Sequence, residues 1–331
     1  MKRRDFAKIM IGMAGMTTAT ALLPSTTFAA TAKTKVALVK TTDRAGGTRK
    51  AMALLGINPA RGNSVLLKPN FNSADPAPGS THPDVLRALV TELEDMGAKS
   101  ITVADRSGMG NTRRVMEQLG VFAMGKALGF TPMVFDELGQ KDWAVIQNKD
   151  QHWSRGFALP KPALDADCVV QACALKTHRF GGHFTLSLKN SVGLAAKTTP
   201  ANAYNYMNEL HGSKWQRHMI AEINAAYAPA LIVMDGVEAF TTGGPDRGKL
   251  AKTEVMLAST DRIAIDAVGV AILRLFGTTP EVSKGKIFEQ AQIARAVELG
   301  LGVASASQIE IVTGDGASAE YAKQLRPLLD A

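Results

Sequence analysis

An α/β fold, a mostly parallel sheet with helices on both faces in Rossmann-like layering, is what this sequence of 331 residues predicts. Three observations carry that expectation. Short apolar runs rich in β-branched residues alternate with stretches of helical period over most of the chain. One run, Asp167 to Leu175, has the composition of a strand buried on both faces. Polar residues follow several of the runs at once, as they do where parallel strands end at a ligand crevice.

In order, Lys35-Val36-Ala37-Leu38-Val39 reads as a first strand and Thr48 to Leu55 as a short helix closed by Gly56. Ser64-Val65-Leu66-Leu67 is a second strand, with Lys68-Pro69-Asn70 at its carboxyl end. A loop rich in Asn, Asp, Pro and Gly follows. Thr81-His82-Pro83-Asp84 then opens a helix to about Met96, with Thr81 or His82 at the N-cap, Pro83 in the first helical position and Asp84 in the first turn. Val85, Leu86, Leu89, Val90 and Leu93 are its apolar face. Ser100 to Ala104 is a third strand, ended by Asp105-Arg106-Ser107-Gly108. Helices follow from Thr112 to Leu119 and from Val121 to Leu128, then a strand within Phe130 to Phe135. Residues 137–162, with Trp143 and Trp153, lack a period and read as an excursion of short strands and loop.

The main strand runs from Asp167 to Leu175, and Lys176, Thr177 and His178 stop it. Residues 198–212 read as irregular, and Ser213 to Tyr227 as a helix capped by Ser213. Ala230 to Met234 is a strand ending at Asp235-Gly236. A Gly243-Gly244-Pro245 loop leads to a strand from Glu254 to Ala258. Asp261 caps a helix that runs through Asp266 to Phe276, and the macrodipole accounts in part for Asp266 in its first turn. Helices at 287–299 and 320–329 flank a last strand, Gln308 to Val312.

Residues 1–30 read as an export signal that ends in small residues, leaving 31–331 as one α/β domain. Arg3-Arg4-Asp5-Phe6-Ala7-Lys8 before a weakly apolar, threonine- and glycine-containing stretch resembles a twin-arginine signal; an ordinary secretory signal is the alternative. The twin-arginine translocase is then a partner during export, the destination is the periplasm, and no transmembrane segment is expected after cleavage. Net charge is +8, of which the signal contributes four basic residues and one acidic. The remaining basic residues are scattered with few aromatics among them, which argues against nucleic acid and for a small anionic ligand. Cys168 and Cys173 lie five apart in one strand, about 16 Å and on opposite faces. A disulfide needs Cα atoms within about 7 Å, so both read as core residues. Two cysteines cannot bind an ordinary iron–sulfur cluster by themselves.

The candidate site gathers at the strand ends. Lys68 and Lys176 suit an anion, and either is a base if desolvated. Asn70, Lys189 and Asn190 are further ligand-holding groups. His82, at a helix amino terminus, suits metal ligation or proton transfer as a general base. His178 and His183 flank Gly181-Gly182 in a loop that can bring both rings to one divalent metal, with Asp105 and Asp235 as carboxylate ligands. Plain alternatives stand beside each of these: snorkelling lysines, capping or solvated histidines, Asx turns. His152, His211 and His218 form no constellation and read as surface or packing residues. The chain has no G-x-G-x-x-G after its first strand, no P-loop, no G-x-S-x-G and no H-E-x-x-H.

The blocks Leu66 to Asn70, Thr81 to Val85, Leu175 to His178, Leu186 to Leu194, Asp235 to Glu238, and Ala258-Ser259-Thr260-Asp261 with Asp266 resemble, in order and spacing, the domain-of-unknown-function 362 family, over about residues 62–275. Members often carry bacterial-ferredoxin cysteine clusters and twin-arginine signals. This chain lacks the clusters, so the resemblance implies an iron–sulfur role only through a partner that supplies one. Thr81-His82 opening a helix is also similar to the nickel-dependent lactate racemase family, where a similarly placed histidine takes part in proton transfer. Two functions follow as expectations. One is an envelope enzyme acting on a small anionic substrate with Lys68, His82, Lys176 and His178 as its reacting groups, with or without a metal. The other is a non-catalytic protein that binds a metal or cofactor, or serves a redox partner.

Overall fold

The computed structural model describes residues 33–331, so the expected export signal lies outside the described residues. The first half of the chain alternates strand and helix: β1 (Thr34–Lys40), α1 (Arg44–Leu55), β2 (Ser64–Lys68), α2 (Pro83–Asp95), β3 (Ser100–Asp105), α3 (Thr112–Gln118), α4 (Val121–Leu128) and β4 (Thr131–Val134). α1 begins at Arg44, capped by Asp43, four residues before the expected Thr48. His82 accepts the Asp84 N–H at the head of α2, and Pro83 takes the first turn. The excursion folds as a two-stranded antiparallel pair, β5 (Trp143–Ile146) and β6 (Phe157–Pro160), followed by the short helix α5 (Lys161–Leu164).

The rest comprises β7 (Cys168–His178), β8 (His183–Thr185), α6 (Ser187–Asn190), α7 (Tyr206–Gly212), α8 (Gln216–Ile223), β9 (Leu231–Gly243), β10 (Gly248–Ala251) and β11 (Val255–Ser259). Then come α9 (Arg262–Leu275), α10 (Pro280–Ser283), α11 (Ala291–Glu298), β12 (Ile309–Val312) and α12 (Gly316–Asp330). Ten strands form one sheet in the order β12-β1-β11-β9-β7-β2-β3-β4, with β10 on β9 and β8 on β7. The pairs β9–β7, β7–β2, β2–β3, β3–β4 and β1–β12 are parallel, and β11 runs against both neighbours. The reversal follows from chain length. After β9 the chain turns at once and comes back along it as β10 and then β11, too short a path for a parallel crossover.

Alternation along the strands divides the core by face. Leu67, Val103, Val170 and Val233 pack with α1, α2 and α4 on one side. Leu66, Ala104 and Val169 pack with Trp153, Phe157, Tyr206 and Met219 on the other, beside a second cluster of Cys173, Leu175, Met234 and the buried side of α9. Cys168 and Cys173 accordingly fall in different clusters, and both are free thiols.

Three further local expectations change. β7 does not stop at Leu175: Lys176, Thr177 and His178 continue the strand, because β8 folds back to pair Thr185, Phe184 and His183 with them. β9 runs on past Asp235 to Gly243 for the same reason, with β10 as its partner. Residues 206–212 are helical, capped by Asn205 and burying Tyr206, Met207 and Leu210, while the next helix begins at Gln216 with Trp215 rather than Ser213 as its cap.

Candidate functional site

The carboxyl ends of β2, β3 and β7, with α6, α7 and the loop after α6, enclose a cleft of about 290 Å3. That is room for a small ligand. Among the described residues, five lysine or arginine side chains and two histidines line it: Lys68, Arg106, Lys176, Lys189, Lys197, His178 and His211. They face one lining carboxylate, Asp105.

That carboxylate is already committed. Asp105 meets Lys68 Nζ at 2.7 Å, and its oxygens accept the backbone N–H groups of Phe71 and Arg106, each at 2.7 Å. Lys68 Nζ also donates to Pro69 O at 2.6 Å and to Asn190 Oδ1 at 3.1 Å, which uses all three of its protons. Burial pushes Lys68 down and Asp105 up, and their contact opposes both shifts. Lys68 and Asn190 are therefore the tie that joins β2 and β3 to α6. This corrects the expectation of Lys68 as a reacting group. Gly193 fits over the tie because it has no side chain: a Cβ there would stand 2.5 Å from both Asp105 Oδ1 and Lys68 Nζ.

Lys176 and Lys189 differ from Lys68 in having no carboxylate contact. Lys176 Nζ donates to the carbonyls of Gly79 and Pro245 at 2.6 and 3.1 Å, and burial, reinforced by the charge of Lys189, pushes it down to about 7. Lys189 rides on α6, where burial and then the Arg106 charge push it down to about 7. Its Nζ has no hydrogen-bond partner among the described residues. Burial and the same two lysines hold His178 well below its ordinary value, so its ring is neutral. The buried atoms His178 Nδ1, Thr185 Oγ1, Asn70 Nδ2 and Asn72 Nδ2 are all unpartnered, and all four residues line the cleft. Orphaned polar atoms are uncommon in a folded interior, and these four leave donors and acceptors around one space available to a bound molecule or to water.

α6 is held from below. Asp266, fully buried on α9, accepts the N–H groups of Ser187 at 2.7 Å and Leu188 at 3.0 Å. Burial pushes its carboxyl up to about 8, against these donors. Asn224 Nδ2 donates to Leu188 O, and Ser187 Oγ donates to Gln171 Oε1. Asp266 thus caps a neighbouring helix from the fifth position of α9, past the first turn in which the sequence placed it.

Of the expected site residues, Lys68, Asn70, Asp105, Lys176, His178, Lys189 and Asn190 all line the cleft. His82, His183 and Asp235 do not. Asp235 shares the face of Leu231 and Val233, where it pairs with Arg44 of α1 at 2.9 Å. His82 heads α2 with Nδ1 accepting the Asp84 N–H, and it does not line the cleft. His183 opens β8 with a left-handed backbone, φ 61°. The set His178, His183, Asp105 and Asp235 is therefore not gathered around one ion. Among the described residues no group of three or more His, Cys, Asp or Glu side chains stands close enough to hold one. Several polar lining residues were missed, among them Asn72, Arg106, Thr185, Lys197 and His211. Arg106 is buried and spends its guanidinium on the carbonyls of Ala195, Val192 and Ser107. His211, read as surface or packing, reaches the cleft from α7 with Nδ1 on Met207 O at 2.7 Å. A helical spacing of Tyr206, Met207 and Leu210 after Asn205 was the signal for that helix.

A thylakoid-associated protein of Synechocystis sp. is 30% identical over 217 residues, covering 65% of this chain. The chain spans 64% of the length of that relative. Among solved structures, the lactate racemase apoprotein of Thermoanaerobacterium thermosaccharolyticum aligns with a TM-score of 0.47 and 15% identity, over 73% of this chain and 58% of that one. The family described as Domain of unknown function (DUF362) matches residues 65–271, a span that includes β2, β3, β7 and α6 with their cleft-lining side chains. The chain belongs to that family.

Proposed function

We propose that this protein is an enzyme that holds a small anion, a carboxylate or a phosphate ester, in the cleft and acts on it by proton transfer through His178 and Lys189. The observation that carries the reading is the charge imbalance around the orphaned atoms. Lys176 and Lys189 face a shared space in which neither meets a carboxylate, Asp246 and Asp75 acting on Lys176 only from beyond ion-pair distance, beside unpartnered groups of Asn70, Asn72, Thr185 and His178. A bound anion held by Lys176 would return that lysine to its charged state and supply acceptors for the amides. A neutral imidazole and an amine near 7 are groups that exchange protons readily at neutral pH.

Thermal unfolding with malonate or phosphate tests the reading. At a hundredfold excess over Kd the melting temperature is expected to rise by on the order of 5 °C. In the Lys176→Gln, Lys189→Gln double variant the rise is expected to vanish. An equal rise in wild type and variant, or none in either, contradicts the proposal. Export of the folded chain to the periplasm by the twin-arginine route is part of the same proposal and rests on Arg3, Arg4 and Phe6. Replacing both arginines by lysine is expected to leave the protein in the cytoplasm; unchanged export of that variant would refute the route.

A further inference from the structure

The four lysines of the cleft are not equivalent. Lys68 is spent on Asp105, a carbonyl and Asn190; Lys176 donates to two carbonyls; Lys197, half-buried, donates to Gly110 O at 3.2 Å. Lys189 alone among them has no acceptor from the described residues, although the residue is only 7% exposed. It also stands against a proton carrier. A Cβ on Gly182 would meet Lys189 Cε at 2.6 Å and His178 Nδ1 at 3.1 Å, so the amine-bearing arm and the unpartnered ring nitrogen crowd one point.

We propose that Lys189 is a nucleophile that forms a reversible imine with a small anion bearing an aldehyde or ketone group, of the 2-oxo acid class. The inference rests on the anion-binding reading above and specifies the substrate. The neutral amine adds its lone pair to the carbonyl carbon while the C=O π pair moves onto oxygen. Nitrogen then loses a proton and oxygen gains one, giving a carbinolamine. Protonation of the hydroxyl expels water and leaves a protonated imine. One amine, one carbonyl and one proton thus become one iminium and one water, and addition of water reverses the sequence. His178, neutral and adjacent, carries the proton between nitrogen and oxygen, while Lys176 holds the carboxylate. Burial supports the step, because an amine pushed down to about 7 is about half unprotonated at pH 7 whereas a surface lysine is almost wholly protonated.

The test is reductive trapping in the full-length chain. Glyoxylate and sodium cyanoborohydride are added at pH 7, the hydride fixes any iminium as a secondary amine, and modified lysines are mapped by peptide mass spectrometry. The expected result is an adduct at Lys189 that forms at least on the order of tenfold faster than at any surface lysine. Excess malonate suppresses it, and Lys189→Gln, its fold checked by circular dichroism, lacks it. The map in the wild-type protein decides the matter without the variant. Adducts spread over surface lysines with Lys189 unmodified overturn the inference. If malonate still raises the melting temperature in that case, the imine alone fails; if it does not, the anion reading fails with it.

Discussion

Lys176 and Lys189 are lysines whose charge the fold does not balance, and that imbalance is measurable. Their ordinary value is 10.5 and burial pushes both to about 7. Between those values the unfolded chain binds protons that the folded chain does not, so the ligand-free protein gains stability as pH rises from about 7 towards 10. Lys189→Gln removes one such proton. Its denaturation free energy is expected to rise less steeply with pH, by up to about 1.4 kcal/mol per pH unit. Equal slopes in urea titrations of wild type and variant would mean that Lys189 is not depressed. A second residue-scale test concerns the lid over the Lys68–Asp105 tie. Gly193→Ala drives a methyl into both partners and is expected to cost about 1–3 kcal/mol, and a denaturation midpoint unchanged from wild type would show that the loop moves aside. Lys176 and His178 were legible in the sequence because charge directly after an apolar β-branched run is conspicuous. Arg106 and His211 were not: one hides its guanidinium on backbone carbonyls, and the other arrives from an element remote in sequence.

Among the elements, α6 has the least support of its own and the most responsibility. Four residues cannot sustain a helix by propensity, so its geometry comes from Asp266, Gln171 and Asn224. Asp266→Ala leaves two buried N–H groups without acceptors and is expected to destabilise the fold by about 2–4 kcal/mol. It should weaken malonate binding as well, since Lys189 and Asn190 ride on that turn; full binding in a destabilised variant would separate the turn from the site. The strands and the longer helices α2 and α9 were readable from period and caps. The overrun of β7 and β9 was not, because a polar strand persists only where a hairpin partner completes its ladder, and that partner, β8 or β10, is too short to register as an apolar run. The same limit explains α7, whose three buried residues lie within an otherwise polar stretch.

For the molecule as a whole, the sheet decides which strand ends can cooperate. Convergence of polar carboxyl ends was a sound expectation for β2, β3 and β7, which are adjacent and parallel. It failed for Asp235 and His82, whose partners lie elsewhere: Asp235 pairs with Arg44 of α1, and His82 caps α2. What remains is a cleft in which Lys176 and Lys189 are half-neutral when it is empty, and in which an anion held by Lys176 restores that lysine's charge. Binding and protonation are therefore linked. The most direct measurement is calorimetric titration of the wild-type protein with malonate, which is fully ionised at pH 8, in two buffers of different ionisation enthalpy. Net uptake approaching one proton or more per malonate bound, lost in the Lys176→Gln, Lys189→Gln variant, is the predicted result. Binding without proton uptake, or no binding at all, would contradict it.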